Sequence, residues 1–315
     1  MLRALKREFK SVPVGGDYLE GTMCYIAQRA FWYCHNARAL DWRAYLGMAV
    51  LGFIYGLDKP SESVNCYVFM RFMFSTLLYL ALTFSINNCF DVECDRRRRE
   101  KHRKNPIALG LISLKEGLIL SSCIASVGLV LTRVWFDDVI FLLYASLVLL
   151  GVAYSAPPLR LKSVPVIDLV SHGSFFGSLL FLYGVLVIGS PGPKATLVGV
   201  SIFVYSVILE LRNHIEDFEL DRASAIKTTA CWLGLARARG LLRILLALHW
   251  SLLITVSWIA GPWSAFATLG LVTAVVKTLR SRFDHLRITD VSSCIVYASS
   301  ALPHLMQALA VWVES

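Results

Sequence analysis

Long uncharged blocks alternate with short, densely charged stretches along the chain, and the interval from Gly117 to Thr132 carries no charged residue at all. About 20 mostly apolar residues make one helical crossing of a bilayer. On that measure the pattern predicts nine spans: Tyr45 to Leu57, Cys66 to Asn87, Leu118 to Trp135, Val139 to Ser155, Val166 to Ile188, Ala195 to Leu211, Leu241 to Ile259, Ser264 to Leu279 and Val291 to Val313. The first is short, so it begins upstream near Leu40 or is strongly tilted. The expected fold class is all-α, a polytopic membrane helix bundle of about nine transmembrane helices.

Composition agrees with that pattern. Of the 315 residues, 56% are hydrophobic and 17% charged, whereas soluble domains carry about 25% charged residues; mean hydropathy is +0.60. A soluble globular fold, a disordered chain and a small disulfide scaffold are thereby excluded. The eight cysteines are scattered, with no C-x-x-C pair, and read as reduced packing residues. Residues 1–42 read as an N-terminal cytoplasmic amphipathic segment on the membrane surface, and 43–315 as one intramembrane domain.

Charge sets the orientation. With nine spans, 27 of the 31 lysines and arginines fall on one side, that of the N-terminus and the even-to-odd loops. The positive-inside bias places these loops in the cytoplasm. Arg71, inside the second span, lies close enough to the outer end to snorkel.

Two of the basic loops share a pattern. INNCFDVECDRRRREKHRKNPIALG follows the second span, and ELRNHIEDFELDRASAIKTTA follows the sixth. Asn87, Asp91 and Asp95 are spaced by four, as are Asn213, Asp217 and Asp221, and one offset of 126 relates the triplets. On a helix, each triplet projects a ladder of oxygen ligands from one face. Carboxylates so placed repel unless a cation lies among them. Hard oxygen ligands favour Mg²⁺, which commonly shares its coordination with phosphate. Solvated helix-end acids balancing nearby arginines would explain one such triplet, but two matching copies at span ends point to function.

These motifs resemble those of the UbiA superfamily of intramembrane prenyltransferases, which carry N-D-x-x-D-x-x-x-D after their second helix and D-x-x-D-x-x-x-D after their sixth, on nine helices. KNPIALG at 104–110, YSAPPLRLK at 154–162 and IKTT at 226–229 extend the resemblance over nearly the whole chain. Asn88 and His214 stand where the family has its first aspartate, and either Asn213 or His214 is open as the upper ligand of the second motif.

The resemblance implies transfer of a polyprenyl group from a prenyl diphosphate to a hydrophobic acceptor in the bilayer, with Mg²⁺ on Asp91, Asp95, Asp217 and Asp221 and no nucleic-acid partner. Acceptors in the family include hydroxybenzoates, homogentisate, chlorophyllide, glycerophosphates and carotenoids. Arg96, Arg103, Lys104, Arg160, Lys162 and Lys227, with Asn87 and Asn213, are the expected diphosphate-side residues. Tyr154 is expected in the wall that shields a prenyl cation. Asp168 and His172, four apart on the fifth span, either form a buried hydrogen-bonded pair or take a proton from the acceptor. Two rivals remain: a terpene cyclase of the same superfamily, and a secondary transporter, whose sites lie nearer the bilayer midplane.

Overall fold

The computed structural model describes residues 18–60, 65–224, 226–261 and 285–314, with scattered positions between 265 and 277. Apart from one isolated bridge between Pro60 and Gly189, the described residues form helices and their connections. We label them α1 (Tyr18–Asn36), α2 (Arg43–Gly56), α3 (Cys66–Phe90), α4 (Val92–Arg97), α5 (Arg99–Lys104), α6 (Leu114–Trp135), α7 (Asp138–Ser155), α8 (Ile167–Ile188), α9 (Pro193–Glu216), α10 (Phe218–Ala223), α11 (Thr229–Leu233), α12 (Leu235–Ile259) and α13 (His285–Glu314). Six of these, α3, α6, α7, α8, α9 and α12, are long and apolar enough to cross a membrane. The first expected span is the 14-residue α2, and the ninth falls within α13. Half of the expected eighth span, Ser264 to Leu279, lies outside the described residues.

Local chemistry sets the helix ends. Asn65 caps α3 by accepting from the Val68 amide at 3.0 Å, and Asp137 caps α7 from the Ile140 amide at 2.9 Å. Ser113 and Glu116 form a reciprocal capping box on α6. Pro193 opens α9 in the first turn, where no intrahelical donor is lost.

α2 and α8 cross with backbones almost touching. A Cβ added to Gly52 would lie 1.9 Å from the Phe181 carbonyl oxygen, and one on Gly184 would lie 2.2 Å from that of Ala49. Glycine at both positions lets the helices approach this closely. Gly173 and Gly177, spaced for close packing in the sequence, sit against Val207 and Ser206 of α9. The turn of α8 from Gly173 to Ser178 is π-helical, a local widening that rotates the faces of Phe175 and Phe176 relative to the turn below. Outward-facing apolar residues such as Val130, Val134, Leu142, Leu149 and Ile254 cover the sides of the bundle, as a lipid-facing surface requires.

The expected boundary after residue 42 runs through packed structure. Residues 1–17 lie outside the described residues, but Arg29 on α1 donates to the Leu111 carbonyl at 2.8 Å and ion-pairs with Glu116. Asn36 is buried against Ser85 and Asn88. The later part of the lead-in is therefore built into the bundle.

Candidate active site

At one end of the bundle α3 gives way to α4, and α9 to α10, each through an aspartate whose amide still donates in the helical pattern: Asp91 N–H donates to the Asn87 carbonyl, and Asp217 N–H to that of Asn213. The four-residue spacing thus continues around both bends. A cavity of about 330 Å³ between them is lined by Asn87, Asp91 and Asp95 from one side and Asn213, Asp217 and Asp221 from the other. The sequence ladders meet in space.

Cations interleave the acids. Lys162 Nζ lies 2.5 Å from Asp91 and donates to Asn87 Oδ1 at 2.9 Å, and Arg160 reaches Asp91 at 3.4 Å. Arg98 clasps both Asp217 and Asp221, while Lys101 reaches Asp217 at 3.0 Å. Asp95, 4% exposed, accepts from Asn105 Nδ2 at 2.8 Å. Burial raises its carboxyl above the usual range, assisted by the charge of Asp91 against the Asn105 hydrogen bond. Asp221 is raised by burial and by Asp217, against the pull of Arg98. Both groups therefore gain from added positive charge.

No group of three metal-ligating His, Cys, Asp or Glu side chains gathers among the described residues. The donor set is open and oxygen-rich, with carboxylates on two walls of one cavity. That chemistry fits a hard divalent cation that completes its coordination with phosphate and water. Asp91, Asp95, Asp217 and Asp221 are the residues able to hold it.

Several residues read from the sequence fall elsewhere. Arg96 points to solvent and pairs with Glu93 at 3.0 Å, because consecutive helical residues cannot share a face; Arg98, two positions on, enters the cavity instead. Lys104 pairs with Asp41 at 2.8 Å. Although burial alone would raise the Asp41 carboxyl, the Lys104 hydrogen bond and the Arg38 charge hold it below the usual range. Arg103 and Lys227 are exposed and do not line the cavity. Asn88, fully buried, turns to Asn36 rather than to the ladder. His214 does line the cavity, facing Glu210 at 3.2 Å and Asp168 at 3.6 Å.

Asp168 and His172 do not pair with each other. Asp168, 0% exposed, accepts the Thr229 amide at 2.6 Å and the Thr229 hydroxyl, tying α8 to the start of α11. His172, the residue just before the π-helical turn, lines the cavity with Nδ1 held at Ser206 of α9. Tyr154 also lines it and donates to Glu210 at 2.5 Å. Below the acids the wall is aromatic: Tyr45 stacks on Phe176 at 4.2 Å between centroids, and Phe84 packs beside both.

The sequence reading missed Glu210, Arg38, Arg98 and Lys101, all on the cavity wall. Glu210 had a signal: a carboxylate inside an apolar span, four before His214 and seven before Asp217. Arg38 had none in its neighbours. It and Arg160 adopt positive φ, at 53° and 37°, a backbone strain that clusters at functional sites.

Residues 45–297 match the UbiA prenyltransferase family. The chain belongs to the UbiA prenyltransferase family. A lycopene elongase/hydratase of Haloarcula japonica is 27% identical over 207 residues, covering 63% of this chain and 65% of its own. This UbiA-family chain thus spans about two thirds of that relative. A homogentisate phytyltransferase of Synechocystis is 27% identical over 294 residues, covering 87% of this chain and 91% of its own. Among solved structures, a UbiA homolog from Archaeoglobus fulgidus bound to GPP and Mg²⁺ shares the fold, with a TM-score of 0.67 and 22% identity over 85% of this chain and 98% of that one.

Proposed function

We propose that this UbiA-family protein transfers a prenyl group from a prenyl diphosphate to an apolar acceptor, with Mg²⁺ held by Asp91, Asp95, Asp217 and Asp221. The observation that carries the reading is the convergence of two oxygen ladders and five cations, Arg38, Arg98, Lys101, Arg160 and Lys162, on one cavity whose floor is aromatic. Bound Mg²⁺ would supply Lewis-acid neutralisation of the leaving diphosphate. Lys162, Arg160, Arg98 and Lys101 supply charge-assisted donors to the same group. Tyr45, Phe84, Phe176 and Tyr154 keep water from the allylic cation and offer it π faces.

The cytoplasm is the proposed side of the ladders, since the basic loops lie there under the positive-inside bias. The likenesses to a lycopene elongase/hydratase and a homogentisate phytyltransferase put a carotenoid and a phenolic acceptor first.

The test uses the purified chain in lipid with dimethylallyl or geranyl diphosphate and, separately, lycopene, homogentisate or a prenylglyceryl phosphate. We expect diphosphate release and a prenylated acceptor by mass, both abolished by EDTA and restored by Mg²⁺. A cyclised prenyl product with the acceptor unchanged would assign a terpene cyclase instead, and no Mg²⁺-dependent diphosphate release would overturn the reading.

A further inference from the structure

Outside the two ladders, the cavity lining includes one more carboxylate, Glu210 on α9. It precedes Asp217 by seven residues, and so lies about 10 Å deeper along the helix at 1.5 Å per residue. In the prenyl-transfer reading, that level is below the diphosphate held by the ladders, where an acceptor would meet the allylic carbon. The side chain is 12% exposed and firmly positioned. Tyr154 donates to one carboxylate oxygen at 2.5 Å, and His214 Nε2 stands 3.2 Å from the same oxygen. Asn213 donates to the other at 3.1 Å, and His172 Nε2 is 3.6 Å from it. Four polar groups from three helices thus orient one carboxylate inside an apolar span, where such a group is expensive and marks function.

The alternatives on the wall are already engaged. Asp168 is sealed behind the cavity by Thr229 and its own following amide. The ladder aspartates serve the diphosphate end, and Glu210 makes no contact with them. His172 holds Ser206 through one ring nitrogen and turns the other to Glu210.

We propose that Glu210 takes up the proton that the acceptor loses on prenylation, an inference that rests on the prenyl-transfer reading above. The allylic C–O bond breaks and its electron pair leaves with the diphosphate. A π pair of the acceptor forms the new C–C bond, which leaves positive charge on the adjacent acceptor carbon. The neighbouring C–H pair re-forms the double bond or aromatic ring, and the proton passes to the Glu210 carboxylate, which becomes the acid. His214, one turn nearer the ladder end of α9, is placed to receive that proton before the next turnover. With an alcohol acceptor such as prenylglyceryl phosphate, a hydroxyl lone pair forms a C–O bond instead and the O–H proton passes to Glu210 in the same way; a carboxylate also stabilises the positive charge that precedes proton loss.

The experiment compares the full-length wild-type chain with Glu210→Gln and Glu210→Asp in lipid, on whichever of lycopene, homogentisate or prenylglyceryl phosphate the wild type prenylates. Diphosphate, prenylated acceptor and free prenyl alcohol are measured together. Glu210→Gln should lower transfer about 100-fold, within the usual reach of a general base. Diphosphate release should stay within about threefold of wild type, diverted to prenyl alcohol, because ionisation uses other residues. Glu210→Asp should recover about tenfold of the lost transfer. Transfer by Glu210→Gln within about threefold of wild type would overturn the proposal. So would equal loss of diphosphate release and transfer in both variants, which marks a structural role. If the wild type prenylates none of the three acceptors, the prenyl-transfer reading fails first and this inference with it.

Discussion

At the residue scale, the four aspartates define the first prediction. Asp91→Asn, Asp95→Asn, Asp217→Asn and Asp221→Asn each delete a charge facing the cavity while keeping side-chain volume. Each should lower diphosphate release about 100-fold or more and leave the protein in the membrane; wild-type turnover in any two of them would sink the metal assignment. The basic residues divide more sharply than the motif implied. Lys162→Ala, which strips two contacts from Asn87 and Asp91, should raise KM for the donor about tenfold. Lys104→Ala and Lys227→Ala should change it little, and a comparable rise in either would restore them to the site. Arg98→Ala leaves Asp217 and Asp221 facing one another. Its thermal midpoint without Mg²⁺ should drop by about 2 °C or more, with most of the loss recovered when Mg²⁺ replaces the missing charge. A deficit unchanged by Mg²⁺ would mean that Arg98 is only structural.

At the scale of elements, the crossing of α2 and α8 fixes where Tyr45 and Phe176 meet, since these residues sit about two turns from Gly52 and Gly184 on the same two helices. Gly52→Ala would push its new Cβ into the Phe181 carbonyl, and backbone cannot yield as a flexible side chain does. The expected loss is about 1–3 kcal/mol, read as a lower unfolding midpoint in detergent. Gly240→Ala in α12 is the matched control, because a Cβ there meets nothing within 4 Å. It should be neutral or stabilising by up to about 1 kcal/mol, as alanine is the better helix former. Equal destabilisation by both changes would refute the crossing as the cause. The bends at Asp91 and Asp217 matter in the same way: helix continues through each with only a local break, so residue spacing along the chain remains spacing on a face.

For the whole molecule, the loops bearing both ladders must open on one side of the membrane. Arg97 reaches Ser224 at 3.3 Å, which joins the two loops, while Ser190 lies at the far end of α8 and α9. In a chain whose accessible cysteines are replaced by serine, Arg99→Cys and Ser224→Cys should label only from the cytoplasm and Ser190→Cys only from outside. Opposite-side labelling of Arg99→Cys and Ser224→Cys would break the topology, and reversed labelling of all three would invert the orientation.

How much of this was written in the chain follows from what repeats locally. Apolar length is a local property, so the spans from α3 to α9 and α12 were legible in the sequence, and the four-residue period showed which oxygens share a face. Asp91, Asp95, Asp217 and Asp221 could be named because each motif is complete within nine residues. Direction was not legible where neighbours are alike: in the run from Arg96 to Arg99, composition is uniform, and only the turn from α4 into α5 decides that Arg98 faces inward and Arg96 outward. Partners distant in sequence were equally hidden. Lys104 has a matching motif but meets Asp41, 63 positions away, and Asp168 is used by Thr229, 61 positions away. Glu210 becomes a placed carboxylate only when Tyr154 of α7 and His172 of α8 close around α9. The sequence by itself determined the helices and which oxygens share a face, because those depend on period and side-chain type. Tertiary structure alone decided which charges and protons meet at the cavity, because that depends on how separate helices cross.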